Sequence, residues 1–490
     1  MKARNRLYVV LSAATVVALF VVALPAALGV LARAAGVREF TWSCSKAWAA
    51  CAETARAEGV VLAVRQGSAL RPAADVSLAD DIGHNLFLGL RSMMHDEPLT
   101  PGECARFNVI VSCGGFLLVA LMLVIAQLRV AALLFVGLGG LLIPESPGTN
   151  PHPSHPGVAM FALVFCVAAA ARVWARRPES VCGALLHPRA SIAGFWWQAV
   201  GVSAGMIAVL LRGAIMMPLA IATMATSLLA ASAASRFAPS RNRQLWRPMA
   251  VTVIVLVAVA NLGLVVLRVR DLVWQVPSTK QIESHGISHN LTIGLGVVDN
   301  KFGIKWDDSC GWKLAKRIDP NVGYVTRAYY EALWRVYWSL WRDDPVEMAR
   351  IYYQKFLGMS SERAFGWIPL WLAAVLSVII AWASIRRAGA APAARSPHFL
   401  IALPSCILLL GFFAQGVLVN PSPNYWKPME GLLLVCVALA IDMAVCRASK
   451  TADPEHAPFA ERSLSPAVAT SDRIAMLSIA VCAGALLWTA

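Results

Sequence analysis

The chain has 490 residues, is 58% hydrophobic and only 14% charged, and carries a formal net charge of +15. Its mean hydropathy is +0.61. Soluble domains average about a quarter charged residues, so a soluble globular enzyme is excluded, and the positive balance reads as arginine-marked cytoplasmic loops rather than a nucleic-acid surface.

Apolar runs near the length that crosses a bilayer, about 20 residues, recur at 7–33, 107–127, 129–143, 157–174, 190–211, 213–234, 248–267, 365–385, 398–419, 428–446 and 473–490. These predict an all-α polytopic membrane protein of about 11 transmembrane helices, forming a single integral membrane domain over 1–490. The basic start "MKARNR" places the N-terminus in the cytoplasm, and the first run is read as a retained helix rather than a signal peptide. Alternation then puts the arginine-bearing loops at 171–180, 235–243 and 385–395 inside, together with the polar stretch 447–472. The loop 144–157 contains no Lys or Arg and falls outside. Two long loops are external, 34–106 and 268–364, each expected to carry short interfacial helices. The expected location is the bacterial inner membrane, with the working face on the periplasmic side.

Of the 11 cysteines, four lie outside: Cys44, Cys51, Cys104 and Cys310. An oxidising compartment would allow one or two disulfides among them. Cys44 with Cys51 is the local pairing, and Cys104 with Cys310 would join the two loops. The chain has no CxxC pair or HExxH string to mark a structural metal.

The first loop contains "DDIGHNLFLGLRSM", and the second contains "SHNLTIGLGVVDNKFGIKWDDSCGW". His-Asn-Leu therefore occurs twice, at His84-Asn85 and at His289-Asn290, each near paired aspartates. If the first stretch is helical, residues 81, 84, 85 and 88 share a face. One of Asp80 and Asp81 can cap that helix, leaving the other as a general base whose pKa its neighbour can raise. The second stretch offers His289, Asn290, Asp307 and Asp308 to sugar hydroxyls, and it also reads as an ordinary turn-rich loop. Over 324–356, aromatic residues and arginines recur at helical spacing, predicting interfacial helices broken at Asp343-Asp344-Pro345. Before the tenth run, "NPSPNYWKPMEG" is external.

The acid pair in the first external loop, followed by a helix and Arg91, resembles the GT-C glycosyltransferases, which are multi-span enzymes using polyprenyl-phosphate sugar donors. That resemblance implies Asp81 or Asp80 as the catalytic base and Arg91 at the position of the family's arginine. The Tyr-x-x-Pro of "NYWKP" is similar to the family's RYxxP, but Asn424 replaces the arginine, shifting the phosphate role toward Lys427. Arg268 and Arg270, at the external end of the seventh run, are the competing lipid-phosphate cations. His84, Asn85, Arg91, His289, Asn290, Asp307 and Asp308 are the candidate substrate contacts. The expected reaction moves a sugar, with inversion, from a polyprenyl-phosphate donor to a cell-envelope glycan, lipid or protein acceptor. A divalent cation is the one cofactor the acids could use, and no nucleic-acid partner is expected. The alternatives are a flippase for lipid-linked glycans and an O-antigen polymerase or ligase-like transferase.

Overall fold

A chain removed from water must satisfy its backbone polar groups internally, and the apolar runs do so as helices. The computed structural model describes residues 2–41, 43–73, 82–139, 147–151, 154–174, 192–237, 242–276, 285–389, 397–451 and 466–488. The strands among them form two short antiparallel hairpins. Helix α1 (Lys2–Ala18) continues through a widened turn, Leu19–Ala23, into α2 (Leu24–Ala35). Pro25 accounts for the widening, because it has no N–H to return to the preceding turn.

The first loop folds as α3 (Ser43–Glu58), the hairpin β1 (Ala63–Gln66) and β2 (Ala69–Pro72), and α4 (Ile82–His95). Helix α5 (Pro101–Ile125) begins at a capping box made by Thr100 and Glu103. Helix α6 (Arg129–Gly137) has nine residues, about 13 Å of rise, too short to cross the roughly 30 Å apolar core. Helix α7 (His155–Trp174) crosses α5 where a Cβ on Gly115 would lie 2.3 Å from the Gly157 carbonyl oxygen. Small residues permit this approach between helices that have no hydrophobic drive to associate in lipid.

Next come α8 (Ile192–Leu211), α9 (Met216–Phe237), α10 (Asn242–Ala260) and α11 (Leu262–Val273). The last two form a broken rod bent by 51°. Asn261 lies at the break, and its side-chain amide donates to the Val257 carbonyl at 2.8 Å, competing with the helical ladder. The second loop contributes α12 (Ile287–Gly294), α13 (Asp308–Ile318), α14 (Arg327–Asp343) and α15 (Pro345–Ser361), then the hairpin β3 (Arg363–Ala364) and β4 (Ile368–Pro369). Asp344 caps α15 and Pro345 is its first residue, so the break falls where expected. Helices α16 (Leu370–Gly389), α17 (Pro397–Leu418), α18 (Pro423–Thr451) and α19 (Pro466–Trp488) complete the chain.

Six helices are long and apolar enough to cross a membrane, and the bent pair makes a seventh. Three further apolar segments, 196–211, 370–383 and 473–484, are shorter. The chain is thus a predominantly helical, multi-pass membrane protein, with six or seven spans supported by length and composition among the described residues, against an expectation of about 11. Helical segments do occur at the expected positions, although α6 is too short to span by itself.

Contacts sort the helix ends into two sets that follow the alternation expected from the basic loops. At one end, Asp442 Oδ1 accepts from the N–H groups of Val130 and Ala131 at 3.0 and 3.1 Å, while Oδ2 pairs with His398 Nε2 at 2.6 Å. This carboxylate satisfies the N-terminus of α6 and complements its dipole. Arg129 covers the Tyr8 ring, and Arg172 donates to Gln198. At the other end, Thr41 bonds to Thr149, Asn108 to the Gly148 and Asn150 carbonyls, and Gln415 to the Ala214 carbonyl. Arg270 bonds there to the Leu62 carbonyl, and Phe365 N–H to Glu430. Both long loops therefore gather at a single end, called outer below.

Candidate functional site

One convergence of chemistry-bearing elements at the outer end is around Arg212. It lies in the turn between α8 and α9, where the 3₁₀ turn Gly213–Ile215 reverses the chain. Helix α4 rests on that turn, since a Cβ on Gly83 would lie 2.7 Å from the Leu210 carbonyl. His84 follows. It is buried, stacks on Trp48 at 4.7 Å, and meets the edge of Phe107 at 5.5 Å. Burial pulls its pKa down to about 4, with the Arg212 charge adding to the shift, so the imidazole is neutral at pH 7. On its other side, Arg212 lies over the Tyr425 ring, 5.5 Å from its centroid.

Arg212 thus stands between the acid-bearing loop and the Tyr-x-x-Pro stretch. The linear pattern has Asn424 where the resemblance calls for arginine, and the fold brings a guanidinium to the adjacent tyrosine from a distant turn. Sequence reasoning did not single out Arg212, although it is a lone cation at an outer turn between two apolar runs. Lys427 belongs to the same neighbourhood. Its ammonium is 3.3 Å from both Glu430 oxygens and 5.0 Å from the Trp426 ring centroid.

The expected base, Asp80 or Asp81, lies outside the described residues, immediately before α4 in sequence. His84 and Asn85 do share a face with Leu88, as the periodicity requires, but that face packs inward. Neither side chain is open to a substrate from solvent, and none of their buried polar atoms has a hydrogen-bond partner among the described residues. Arg91 is engaged by Glu97 at 3.0 Å and by Glu103, fastening α4 to the start of α5. Arg268 is exposed, with Asp271 at 3.8 Å. Arg270, by contrast, is buried, donating to Asp271 and, at 2.7 Å, to the Leu62 carbonyl. These bonds tie α11 to the first loop.

The second loop holds its own polar cluster. His285 precedes α12 and His289 lies one helical turn on, so their rings stack at 4.2 Å, 6° from parallel. Asp308, the first residue of α13, places Oδ1 3.2 Å from His289 Nε2 and Oδ2 3.6 Å from His285 Nε2. The His289 contact holds this carboxylate below the usual range, with His285 adding to it and burial opposing. Behind them, His289 Nδ1 pairs with Tyr329 Oη at 2.6 Å, and His285 Nε2 with Tyr324 Oη at 3.2 Å. Gly311 makes the fit possible, because a Cβ there would lie 2.9 Å from Tyr329 Oη and 3.3 Å from His289 Nδ1. Asp307 differs from its neighbour in being the α13 cap, accepting from Ser309 N–H at 3.0 Å and Ser309 Oγ at 2.6 Å. Asn290 reaches back to the His285 carbonyl at 3.5 Å. His285 escaped sequence reasoning even though its four-residue spacing from His289, close to one helical turn, was a usable signal.

Sequence reasoning also missed Lys355, a fully buried lysine whose ammonium donates to the Leu418 carbonyl at 2.7 Å. Burial brings its pKa down to about 7. The expected Cys104–Cys310 bridge is not formed. Both are free thiols, and Cys104 packs with Trp48, Ala52, Leu88 and Leu99, whereas Cys310 packs in the second loop's core. The Cys44 side chain lies outside the described residues, and Cys51 is buried.

Fold and site together define a multi-pass helical membrane protein with two structured loops at its outer end. No protein-family model and no curated relative matches the chain. Among solved structures, that of ArnT from Cupriavidus metallidurans bound to undecaprenyl phosphate is similar. The identity is 14%, the match covers 90% of this chain and 81% of that one, and the TM-score is 0.31.

Proposed function

We propose that this chain is a membrane glycosyltransferase of the GT-C kind, acting at its outer end on a polyprenyl-phosphate-linked sugar. The observation that carries the reading is the position of Arg212, beside both His84 of the acid-bearing loop and Tyr425 of the Tyr-x-x-Pro stretch. In this reading Asp81 or Asp80 takes the proton of an acceptor hydroxyl. The hydroxyl oxygen attacks the anomeric carbon with inversion, and the carbon–oxygen bond to phosphate breaks. Polyprenyl phosphate leaves with the bond's electrons, and Arg212 and Lys427 neutralise the charge that develops on it. The acceptor is a cell-envelope glycan, lipid or protein. His289, Asn290 and Asp308 belong to the second loop and are assigned no step.

Transport of a lipid-linked glycan fits less well. Transporters place ionisable groups near the bilayer midplane. Here the buried acids of α18 serve the two ends of the helix, Glu430 bonding to Phe365 N–H at one and Asp442 capping α6 at the other.

The test uses purified protein in lipid discs, radiolabelled polyprenyl-phosphate sugars and an envelope-glycan acceptor. Asp80→Asn or Asp81→Asn should lower transfer by about 10²-fold or more, and Arg212→Gln by a comparable factor of about 10²–10³. Transfer that survives all three substitutions would remove this chemistry. Absence of transfer with glycolipid crossing the bilayer would favour the flippase.

A further inference from the structure

We propose that His285, His289 and Asp308 form a binding site for a divalent zinc-class ion, independent of the transfer chemistry above. The three residues offer two imidazole nitrogens and a carboxylate oxygen, all within 4.8 Å of one another. Two imidazoles and a carboxylate are a donor set that zinc accepts, with a fourth position left for water or another oxygen ligand. The spacing is the main argument. Zinc bonds to such ligands at about 2.0–2.1 Å, and tetrahedral ligands at that radius lie about 3.3–3.4 Å apart. The Asp308 oxygens already stand 3.2 Å from His289 Nε2 and 3.6 Å from His285 Nε2. The second distance is too long for a hydrogen bond, yet it suits two ligands converging on one ion.

The surroundings match a metal site in a second respect. A metal-bound histidine commonly fixes its other ring nitrogen on a partner, which sets the tautomer and orientation. His289 is fully buried, and its Nδ1 is held by Tyr329 Oη at 2.6 Å, leaving Nε2 directed at the proposed ion. Gly311 lets α13 come close enough for that pair to form. The ligands come from two regions, His285 just before α12 with His289 within it, and Asp308 at the start of α13. An ion would clip the two helices together. The Asp308 side chain is 56% exposed and His285 16%, so ions can enter from the outer side.

The experiment measures metal content directly. Full-length protein in lipid discs is stripped with a chelator, dialysed against zinc chloride and then against metal-free buffer, and analysed by inductively coupled plasma mass spectrometry. Wild type should retain about one zinc per chain, and Asp308→Asn and His285→Gln should each retain less than about a tenth of that. Both variants alter side chains outside the buried core, and size-exclusion elution confirms their fold. Cobalt loading gives a second readout, because a four-coordinate cobalt site absorbs strongly in the visible range and both variants should lose that band. The proposal is overturned if wild type retains no more zinc than the variants, or if either variant keeps a full equivalent. Since no transfer assay enters, failure here leaves the glycosyltransferase reading untouched, and the reverse also holds.

Discussion

The same tripeptide, His-Asn-Leu, opens a helix in each outer loop and meets two different fates. In the first loop, His84 and Asn85 are sealed against Trp48 and Phe107, with none of their buried polar atoms partnered among the described residues. In the second, His289 is equally buried, but Tyr329 and Asp308 hold both ring nitrogens. The string does not decide the difference; what lies opposite does. Helix α4 faces an aromatic wall and the backbone of α8, whereas α12 faces a tyrosine-bearing helix and an acidic helix start. The first copy therefore carries a neutral packing imidazole, and the second carries a polar site.

The largest effect should come from the tie that seats the first loop. Arg270→Met leaves Asp271 and the Leu62 carbonyl without their buried partner, and breaking a buried pair in this way costs about 3–5 kcal/mol. Thermal unfolding in detergent would measure it. A shift no larger than that of an exposed arginine would contradict the burial assigned to Arg270.

A pH profile tests the first copy directly. Unfolded His84 takes up a proton near 6.5, while the folded ring resists until about 4. The unfolded state therefore binds more protons in that window, and stability falls as pH drops through it. The loss is roughly 3 kcal/mol by pH 4. His84→Phe should flatten this part of the curve, and an unchanged acid limb would refute the neutral-packing role.

Lys355 offers a comparison on the alkaline side. Its ordinary value is 10.5 and burial brings it to about 7. Between these limits the unfolded state holds the extra proton, so stability rises with pH by up to about 1.4 kcal/mol per unit. Lys355→Met should remove that slope; a slope preserved in the variant would assign it to other groups.

Smaller changes are expected at the second site. Tyr329→Phe strands His289 Nδ1 and should cost about 2 kcal/mol in metal-free protein, read from the denaturation midpoint at pH 7. Smallest of all is Arg327→Gln, which removes an exposed ion pair with Glu331 on the outer side of α14. That loss should stay within about 0.5 kcal/mol; a larger one would mean that α14 depends on its surface charges rather than on its buried tyrosines.

What the sequence by itself determined is local or bilayer-scaled. Twenty apolar residues in a row must be helical in lipid, and arginines in alternate loops set which helix ends share a side. Proline at 345 after two aspartates must end one helix and begin the next. That His84, Asn85 and Leu88 share a face was legible for the same reason, since residues four apart meet within one helix, but not that this face packs inward. Only the tertiary structure decided the rest. Arg212 reaches Tyr425 across more than two hundred residues, Arg270 turns inward to Leu62, and Asp308 closes on a histidine pair from another helix. Pairings of that kind depend on how helices pack, which is set by side-chain volumes and by glycines such as Gly83 and Gly311, and a pattern of spacing along one segment carries no record of them.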